Sequence, residues 1–550
     1  MLEGFTPWPE EFARRYRERG YWEDITLAEV LQRSIDRHSA KEALVSGTRR
    51  VSYRELGERI DRLAYGLARC GFGARERVVL QLHNVPEFVY AYFAMVKIGV
   101  IPVMALRAHR HTEVKHFIQR SGACGYLIPD VIGEFDYRAM AREVAPECPT
   151  LRKILVAGEA EAGQLALGPL IEAEVGAAEL RRVLEPLRPD PADVALMLLS
   201  GGTTALPKLI PRTHNDYVYN ARASARAAGF DAGTVLMVIL PLGHNYNLAS
   251  PGIQGALACG GKVVLAPAGD LDTVFSLVEK EKVTVIAAAV PLVANWMNRW
   301  VSGRYDTSSL RVVQNGGARL APELRRRLRE NLGCIPQEIY GTAEGLLNMT
   351  RLDDGDEQLL ESSGTPVCPD DEIKVLGEDG RELADGEMGE LATRGPYTIR
   401  GYYAADETNR AAFTADGFYR MGDAVKKRGR YLYTEGRRKD LINRGGEKIS
   451  CDEVENYIFG HPKVQNVCVV AMPDEVFGEK ACAFVIAKPG ASLGFDELIQ
   501  FLLQQKFAKF KLPERLEVVA EFPMSPAGKI LRRELKLVIA GKLESEKAKS

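Results

Sequence analysis

The chain has 550 residues, of which 46% are hydrophobic, 8% aromatic and 27% charged, a soluble composition too long for one core at roughly 100–200 residues per domain. Its 72 Lys and Arg against 74 Asp and Glu leave a formal charge of −2, which excludes an overall nucleic-acid-binding field or an acidic tail and points to a small-molecule partner. Nine cysteines with no C-x-x-C pair fit neither a disulfide framework nor a zinc site and favour a reducing cytoplasm. The opening residues, acidic and carrying Pro7 and Pro9, lack the basic start and apolar run of a signal peptide.

In chain order, Arg77 to Leu82 reads as a buried strand and Glu87 to Ile98 as the helix after it. Val194–Leu199, Val235–Leu240, Lys262–Leu265 and Val283–Ala289 are further short apolar runs rich in branched residues, with helical spacing over Thr273–Lys282. Such alternation predicts a mainly parallel sheet covered on both faces. The segment from Val235 to Gly261 has no charged residue, but Pro241, Pro251 and five glycines interrupt it, so it predicts a buried strand–loop–helix rather than a membrane span. From about Asp371 the texture turns to short alternating strands separated by turns such as Glu378-Asp-Gly and Ala415-Asp-Gly, an antiparallel section. Beyond the charged break at Gly436-Arg-Arg-Lys-Asp, Cys451–Phe459 reads as a helix, Val467–Ala471 and Ala481–Ile486 as strands, and Gly541–Ser550 as a fraying charged end.

The strongest local signal is Leu199-Ser-Gly-Gly-Thr-Thr-Ala-Leu-Pro-Lys208, directly after an apolar strand. Gly201 and Gly202 allow backbone N–H groups to turn towards an anion, Ser200, Thr203 and Thr204 add hydroxyls, and Lys208 adds positive charge, as a polyphosphate requires. The spacing is not that of a Walker loop.

This loop, with its extension Lys208-Leu-Ile-Pro-Arg-Thr-His-Asn-Asp-Tyr217, resembles the phosphate-binding signature of the adenylate-forming superfamily of acyl- and aryl-AMP ligases, and in particular its stand-alone aryl-acid adenylases such as the 2,3-dihydroxybenzoate-AMP and salicylate-AMP ligases. The family's other motifs follow in order: Gln314-Asn-Gly-Gly-Ala318, Tyr340-Gly-Thr-Ala-Glu344, Tyr419-Arg-Met-Gly-Asp423 with Gly436-Arg437, Asn443-Arg-Gly-Gly-Glu-Lys-Ile449 and Pro526-Ala-Gly-Lys529. The resemblance implies an α/β fold: a large N-terminal domain, 1–436, of α/β sheet subdomains plus a small β-barrel, binding ATP and the aryl acid. A hinge at 437–440 with Lys439 at the pivot and a small mobile α+β C-terminal domain, 441–550, carrying the catalytic lysine would follow.

It also implies roles. ATP would meet Ser200, Gly201, Gly202, Thr203, Thr204 and Lys208, the turn Gly316, Gly317 and Ala318, and Tyr340, Gly341 and Thr342. Asp423 and Arg437 would hold the ribose, Lys529 would pair with carboxylate and α-phosphate, and Glu344 would ligate Mg²⁺, so that Lys529, Glu344 and Lys208 carry catalysis. The chemical reason is that an anionic carboxylate must approach an anionic triphosphate, which cations and donors permit without a general base. Ala205 stands where the family has Gly, and Met421 where it commonly has Thr.

The acid-binding segment is Pro241-Leu-Gly-His-Asn-Tyr-Asn-Leu-Ala-Ser-Pro-Gly252. By resemblance, Asn245 would bond a ring ortho-hydroxyl and Tyr246 would wall the ring, with His244, Ser250, Gly316, Ile339 and Leu347 completing the pocket. A neutral amide at 245 leaves an α-ammonium without a partner. Ser250 favours 2,3-dihydroxybenzoate, Leu347 favours salicylate, and Asn315 and Asn247 depart from the pattern, so 3-hydroxypicolinate or an aminobenzoate also fits. The expected reaction is ATP-dependent formation of the aryl-AMP, then transfer to the phosphopantetheine of an aryl carrier protein in siderophore or related nonribosomal peptide biosynthesis. Free coenzyme A is the competing acceptor; neither a nucleic acid nor a membrane is an expected partner. Arg532 and Arg533 would form a solvated helix face or meet an acidic carrier.

Overall fold

The computed structural model describes residues 2–200, 206–437, 440–445, 447–505, 507–525 and 529–547. Two stretches of strand–helix alternation build two sheets. One has seven strands with Val194–Leu199 near its edge, parallel to Ile101–Met104 and paired in antiparallel fashion with Leu209–Thr213. The other has nine strands. Its centre is parallel, from Lys262–Leu265 through Val235–Val238, Val285–Ala288 and Val312–Gly316 to Ile335–Thr342, and Gly345–Met349 folds back antiparallel beside the last of these. Branched, uninterrupted apolar strands require cover on both faces. One core cluster accordingly joins strand residues of both sheets, such as Leu80 and Leu196 with Leu236 and Val263, through the intervening helices. Pro86–Lys97 is one of these helices, apolar around its whole circumference and buried from Pro86 to Val96 except at Glu87, the pattern of a helix with no solvent side.

The charge-free segment folds as expected, into strand Val235–Val238 and the buried helices Asn245–Ala249 and Gly252–Ala258. The antiparallel section is also present, as strands Glu372–Leu376, Met388–Arg394, Tyr419–Arg428 and Tyr431–Arg437. It is an open sheet of four strands, not the expected β-barrel. Ser363 N–H donates to Leu432 O at 2.7 Å and Leu432 N–H to Gly364 O at 3.0 Å, so the last strand spends free backbone groups on a neighbouring segment. Four strands are also too few to close around side chains.

In a further, five-stranded sheet, strands Val464–Asp474 and Gly478–Ala487 form a long antiparallel pair, with Arg515–Val518 parallel to the second. Helix Cys451–Phe459 covers it and packs near helix Pro322–Leu332. The expected fraying from Gly541 is not seen as far as residue 547, where helix Arg532–Lys547 ends. Arg515 grips Glu546 with two hydrogen bonds of 2.7 and 2.8 Å, and Lys542 holds Glu517, so the charges that suggested solvation anchor the helix instead. Among the described residues no helix is long and apolar enough to cross a membrane.

Candidate active site

A cleft of about 1050 Å³ opens where the ends of the nine-stranded sheet, the four-stranded sheet and the Lys529 segment meet. Every expected site residue that lies within the described set lines it: Ser200, Lys208, His244, Asn245, Tyr246, Ser250, Gly316, Gly317, Ala318, Ile339, Tyr340, Gly341, Thr342, Glu344, Leu347, Asp423, Arg437 and Lys529. Gly201, Gly202, Thr203, Thr204, Ala205, Lys439, Gly446 and the Pro526-Ala-Gly528 run lie outside the described residues.

The strands that flank the phosphate-loop motif, Val194–Leu199 and Leu209–Thr213, are antiparallel neighbours. Ser200 N–H donates to Lys208 O at 3.0 Å, and Lys208 N–H donates to Ser200 Oγ at 2.9 Å, closing the loop at its base. The extension after Lys208 is structural. Thr213 and Asp216 form a reciprocal capping box on helix His214–Ala227, and Asp216 also accepts from Arg212 Nε at 2.7 Å with both side chains fully buried. Arg212 spends its other nitrogens on the carbonyls of Ala343 at 2.8 Å and Tyr397 at 3.0 Å. A charged hydrogen bond to Ala343 thus fixes the backbone next to Glu344. Gly345, at φ +136°, allows the sharp turn that follows, since a Cβ there would lie 2.4 Å from the Thr398 backbone. Thr342 Oγ1 closes the same turn on Gly345 O at 3.0 Å.

Glu344 is buried and its Oε1 accepts from the Tyr402 hydroxyl at 2.8 Å. Asp423 is paired across the sheet with Arg437, whose Nε lies 2.8 Å from Asp423 Oδ1, while Tyr340 donates to Oδ2 at 2.7 Å. Burial raises the Asp423 pKa against the opposing pull of Arg437 and Tyr340. Lys529 is reachable through the cleft, and its Cε passes over Gly317, 3.5 Å from where a Cβ would stand. Burial and the nearby Arg437 guanidinium lower its pKa, opposed by Asp423 and Glu344. Lys529 N–H donates to Ser525 Oγ at 3.0 Å, fixing the backbone that carries it. Among the described residues no cluster of three or more His, Cys, Asp or Glu is placed to hold a metal.

At the other end, Asn245 stands in the first turn of helix Asn245–Ala249, capped by His244. Asn245 Nδ2 donates to Ser250 Oγ at 3.1 Å, and its Oδ1 accepts from the buried Tyr217 hydroxyl at 2.7 Å. Burial, reinforced by the Lys529 charge, pushes the His244 pKa down to about 4, so this histidine is neutral at pH 7. Gly316 lets the Tyr246 ring lie against the backbone: a Cβ would approach the ring carbons to 3.0 Å. Leu347 is held from behind, its N–H donating to the Tyr397 hydroxyl at 3.0 Å, and Tyr397 donates to Asp371 at 2.6 Å.

Two departures from the family pattern lie outside the cleft wall. Asn247 is buried and donates to Leu240 O, tying the helix to the preceding strand. Asn315 is likewise buried, donating to Ala318 O at 2.7 Å and Glu338 Oε2 at 3.0 Å, and Glu338 also meets Arg325 at 3.1 Å. Both shape the backbone that lines the pocket. Arg532 is neither a solvated face nor free for a partner, because it binds Asp452 at 2.8 Å and both oxygens of Glu455; Arg533 is exposed. Sequence reasoning missed Tyr402, Tyr217 and Glu338 as parts of the site. Tyr217 closes the motif quoted above and so was within sight, whereas nothing local marks the other two.

Two family models match the chain. The AMP-binding enzyme model matches residues 31–403 and the AMP-binding enzyme C-terminal domain matches 453–529. Similar proteins include the 2,3-dihydroxybenzoate-AMP ligase of Bacillus subtilis, 44% identical over 99% of both chains, and the salicylyl-CoA synthase / salicylate adenylyltransferase of a Streptomyces species, 45% identical over 99% of both. The apo structure of MbtA from Mycobacterium smegmatis superposes with a TM-score of 0.74 at 39% identity, covering 97% of this chain and 98% of that one. A chain matched over most of its length by these models, and folded like a solved relative at 39% identity, belongs to the AMP-binding enzyme family.

Proposed function

We propose that the protein activates an aryl carboxylic acid with ATP, releasing pyrophosphate, and then passes the aryl group from the aryl-AMP to a phosphopantetheine thiol. The observation that carries this reading is the meeting of Lys529, the Asp423–Arg437 pair, Glu344 and Lys208 with the neutral Asn245–Ser250 pocket in one cleft. The names of the Bacillus and Streptomyces relatives, which specify 2,3-dihydroxybenzoate and salicylate, support an ortho-hydroxylated ring.

In the first step a carboxylate oxygen bonds to the α-phosphorus while the bond from that phosphorus to the bridging oxygen breaks, so pyrophosphate leaves with the electron pair. Lys529 holds carboxylate and α-phosphate together, Asp423 with Arg437 orients the ribose, and Tyr340 walls the adenine. Lys208 and the loop closed by Ser200 hold the leaving pyrophosphate. The single carboxylate of Glu344, lining the cleft beside these groups, suits Mg²⁺, which binds through one or two carboxylates, waters and substrate phosphates. When bound, such an ion neutralises phosphate oxygens. In the second step the thiol sulfur attacks the carbonyl carbon, AMP leaves, and the thiol proton passes to solvent.

Residues 437–440 would serve as the hinge that withdraws Lys529 between the steps, with the cytoplasm and siderophore or related peptide assembly as the setting. Pyrophosphate exchange measured with salicylate, 2,3-dihydroxybenzoate, 3-hydroxypicolinate and anthranilate tests the reading: exchange is expected with at least one, and absence with all would reject it. Offering a carrier domain and coenzyme A side by side identifies the acceptor. Lys439→Pro, which restrains φ, is expected to spare exchange and slow thioester formation; equal losses in both would reject the hinge.

A further inference from the structure

Residues 399–403 form a strut between the two charged motifs of the cleft. At one end Ile399 N–H donates to Glu344 O at 2.8 Å, and at the other Tyr403 N–H donates to Leu209 O at 3.0 Å, one residue after Lys208. Between these ties, Asn409 brackets the Tyr402 backbone, its Oδ1 accepting from Tyr402 N–H at 2.8 Å and its Nδ2 donating to Tyr402 O at 3.0 Å. The strut therefore has little freedom, and Tyr402 points from it into the cleft, 3% exposed.

The Tyr402 hydroxyl donates to Glu344 Oε1 at 2.8 Å and lies 3.0 Å from the Tyr419 hydroxyl. One O–H hydrogen serves one acceptor, so Tyr419 donates to Tyr402. A phenol O–H facing a carboxylate oxygen is the donor of the pair, so Tyr402 gives its hydrogen to Glu344. Its ring face meanwhile lies 4.3 Å from the Lys208 ammonium, within cation–π range. The lysine rests on the ring, and the carboxylate rests on that ring's hydroxyl.

We propose that Tyr402 is a positioning residue, a clamp that keeps the opposite charges of Lys208 and Glu344 apart and aimed. Bound directly to each other, the two would each lose their use: Lys208 its phosphate and Glu344 its divalent cation. Held on separate parts of one buried ring, each offers its charge to a nucleoside triphosphate and its metal. The hydroxyl serves the metal carboxylate and the ring face serves the phosphate lysine, so the two functions separate by substitution. This inference rests on the roles proposed above for Lys208 and Glu344.

Calorimetric titration of ATP into the full chain, in magnesium buffer and in EDTA, tests it with Tyr402→Phe and Tyr402→Leu. Tyr402→Phe keeps the ring face and is expected to weaken binding about tenfold in magnesium buffer alone, as expected for a lost hydrogen bond to a charged group. Tyr402→Leu removes both contacts and is expected to weaken binding in both buffers. Should Tyr402→Leu fail to fold, Tyr402→Phe alone decides. Wild-type-like binding by Tyr402→Phe in magnesium, or equal weakening in both buffers, would overturn the clamp while leaving the site reading intact. Absence of ATP binding by the wild-type chain would overturn that reading, and the clamp with it.

Discussion

The two ends of the cleft are built on opposite electrostatic plans. The end that holds Asn245 is neutral. Asn245, Ser250 and Tyr217 form a chain of uncharged hydrogen bonds, His244 has lost its proton at pH 7, and burial pushes the Asp371 carboxyl behind Leu347 up to about 8. The end that holds Glu344 is ionic, with Lys208 over Tyr402, Tyr402 on Glu344, and Arg437 on Asp423. A neutral pocket imposes little desolvation on an aromatic ring and discriminates by hydrogen-bond fit. An ionic one opposes the repulsion between triphosphate and carboxylate, and must hold its own charges apart until the substrates arrive.

Substitutions at the ionic end should have the largest effects. Arg212→Met would strand the buried Asp216 and release the backbone beside Glu344. Breaking such a pair costs about 3–5 kcal/mol, read as a lower denaturant midpoint; a loss under about 1 kcal/mol would show the staple to be idle. Lys529→Ala is expected to lower pyrophosphate exchange by about 10²–10³-fold, the usual cost of removing one aimed donor. Thioester formation from supplied aryl-AMP should change far less, and an equal fall in both steps would place Lys529 in the second step as well.

At the neutral end the effects should be more selective, set by pH or by the substrate. For Asp371 burial holds the folded pKa, about 8, well above the ordinary carboxyl range. Its contribution to stability is therefore fully present below the unfolded pKa and lost as pH rises through the folded one. Asp371→Asn should gain on the wild type between those limits, by up to about 1.4 kcal/mol per pH unit, in urea melts at pH 5 and 8. No gain by Asp371→Asn on the wild type from pH 5 to pH 8 would contradict the burial argument. Tyr217→Phe leaves Asn245 Oδ1 without its donor and is expected to raise KM for the aryl acid severalfold, about 1 kcal/mol, with KM for ATP unmoved. The smallest effect is expected from Ser250→Cys, a shift of a few-fold towards salicylate, since a thiol is a weak partner for a second ring hydroxyl. No shift would remove Ser250 from specificity.

Legibility in the sequence followed the same division. The neutral pocket is written mostly in one stretch, 244–250, with Tyr217 closing a motif already singled out, and each strand placed by apolar runs appeared within a few residues of its expected limits. The open four-stranded sheet was less legible, because whether a strand edge closes on its own sheet or spends itself on Ser363 and Gly364 is a tertiary matter. The Gly541 tail looked like solvated charge because its partners, Arg515 and Glu517, lie some 25–31 residues earlier.

By itself the sequence determined the alternation of elements, the order of the motifs and the types of residue that phosphate, ribose and ring would require, because each is set by local spacing and side-chain chemistry. Only the tertiary structure decided how the charges are kept usable. Tyr402 lies 58 residues from Glu344, Arg212 reaches Tyr397 across 185, and Asn315 and Arg325 are drawn together by a buried Glu338. Pairing, burial and the separation of opposite charges depend on distance in space, which spacing along the chain does not encode.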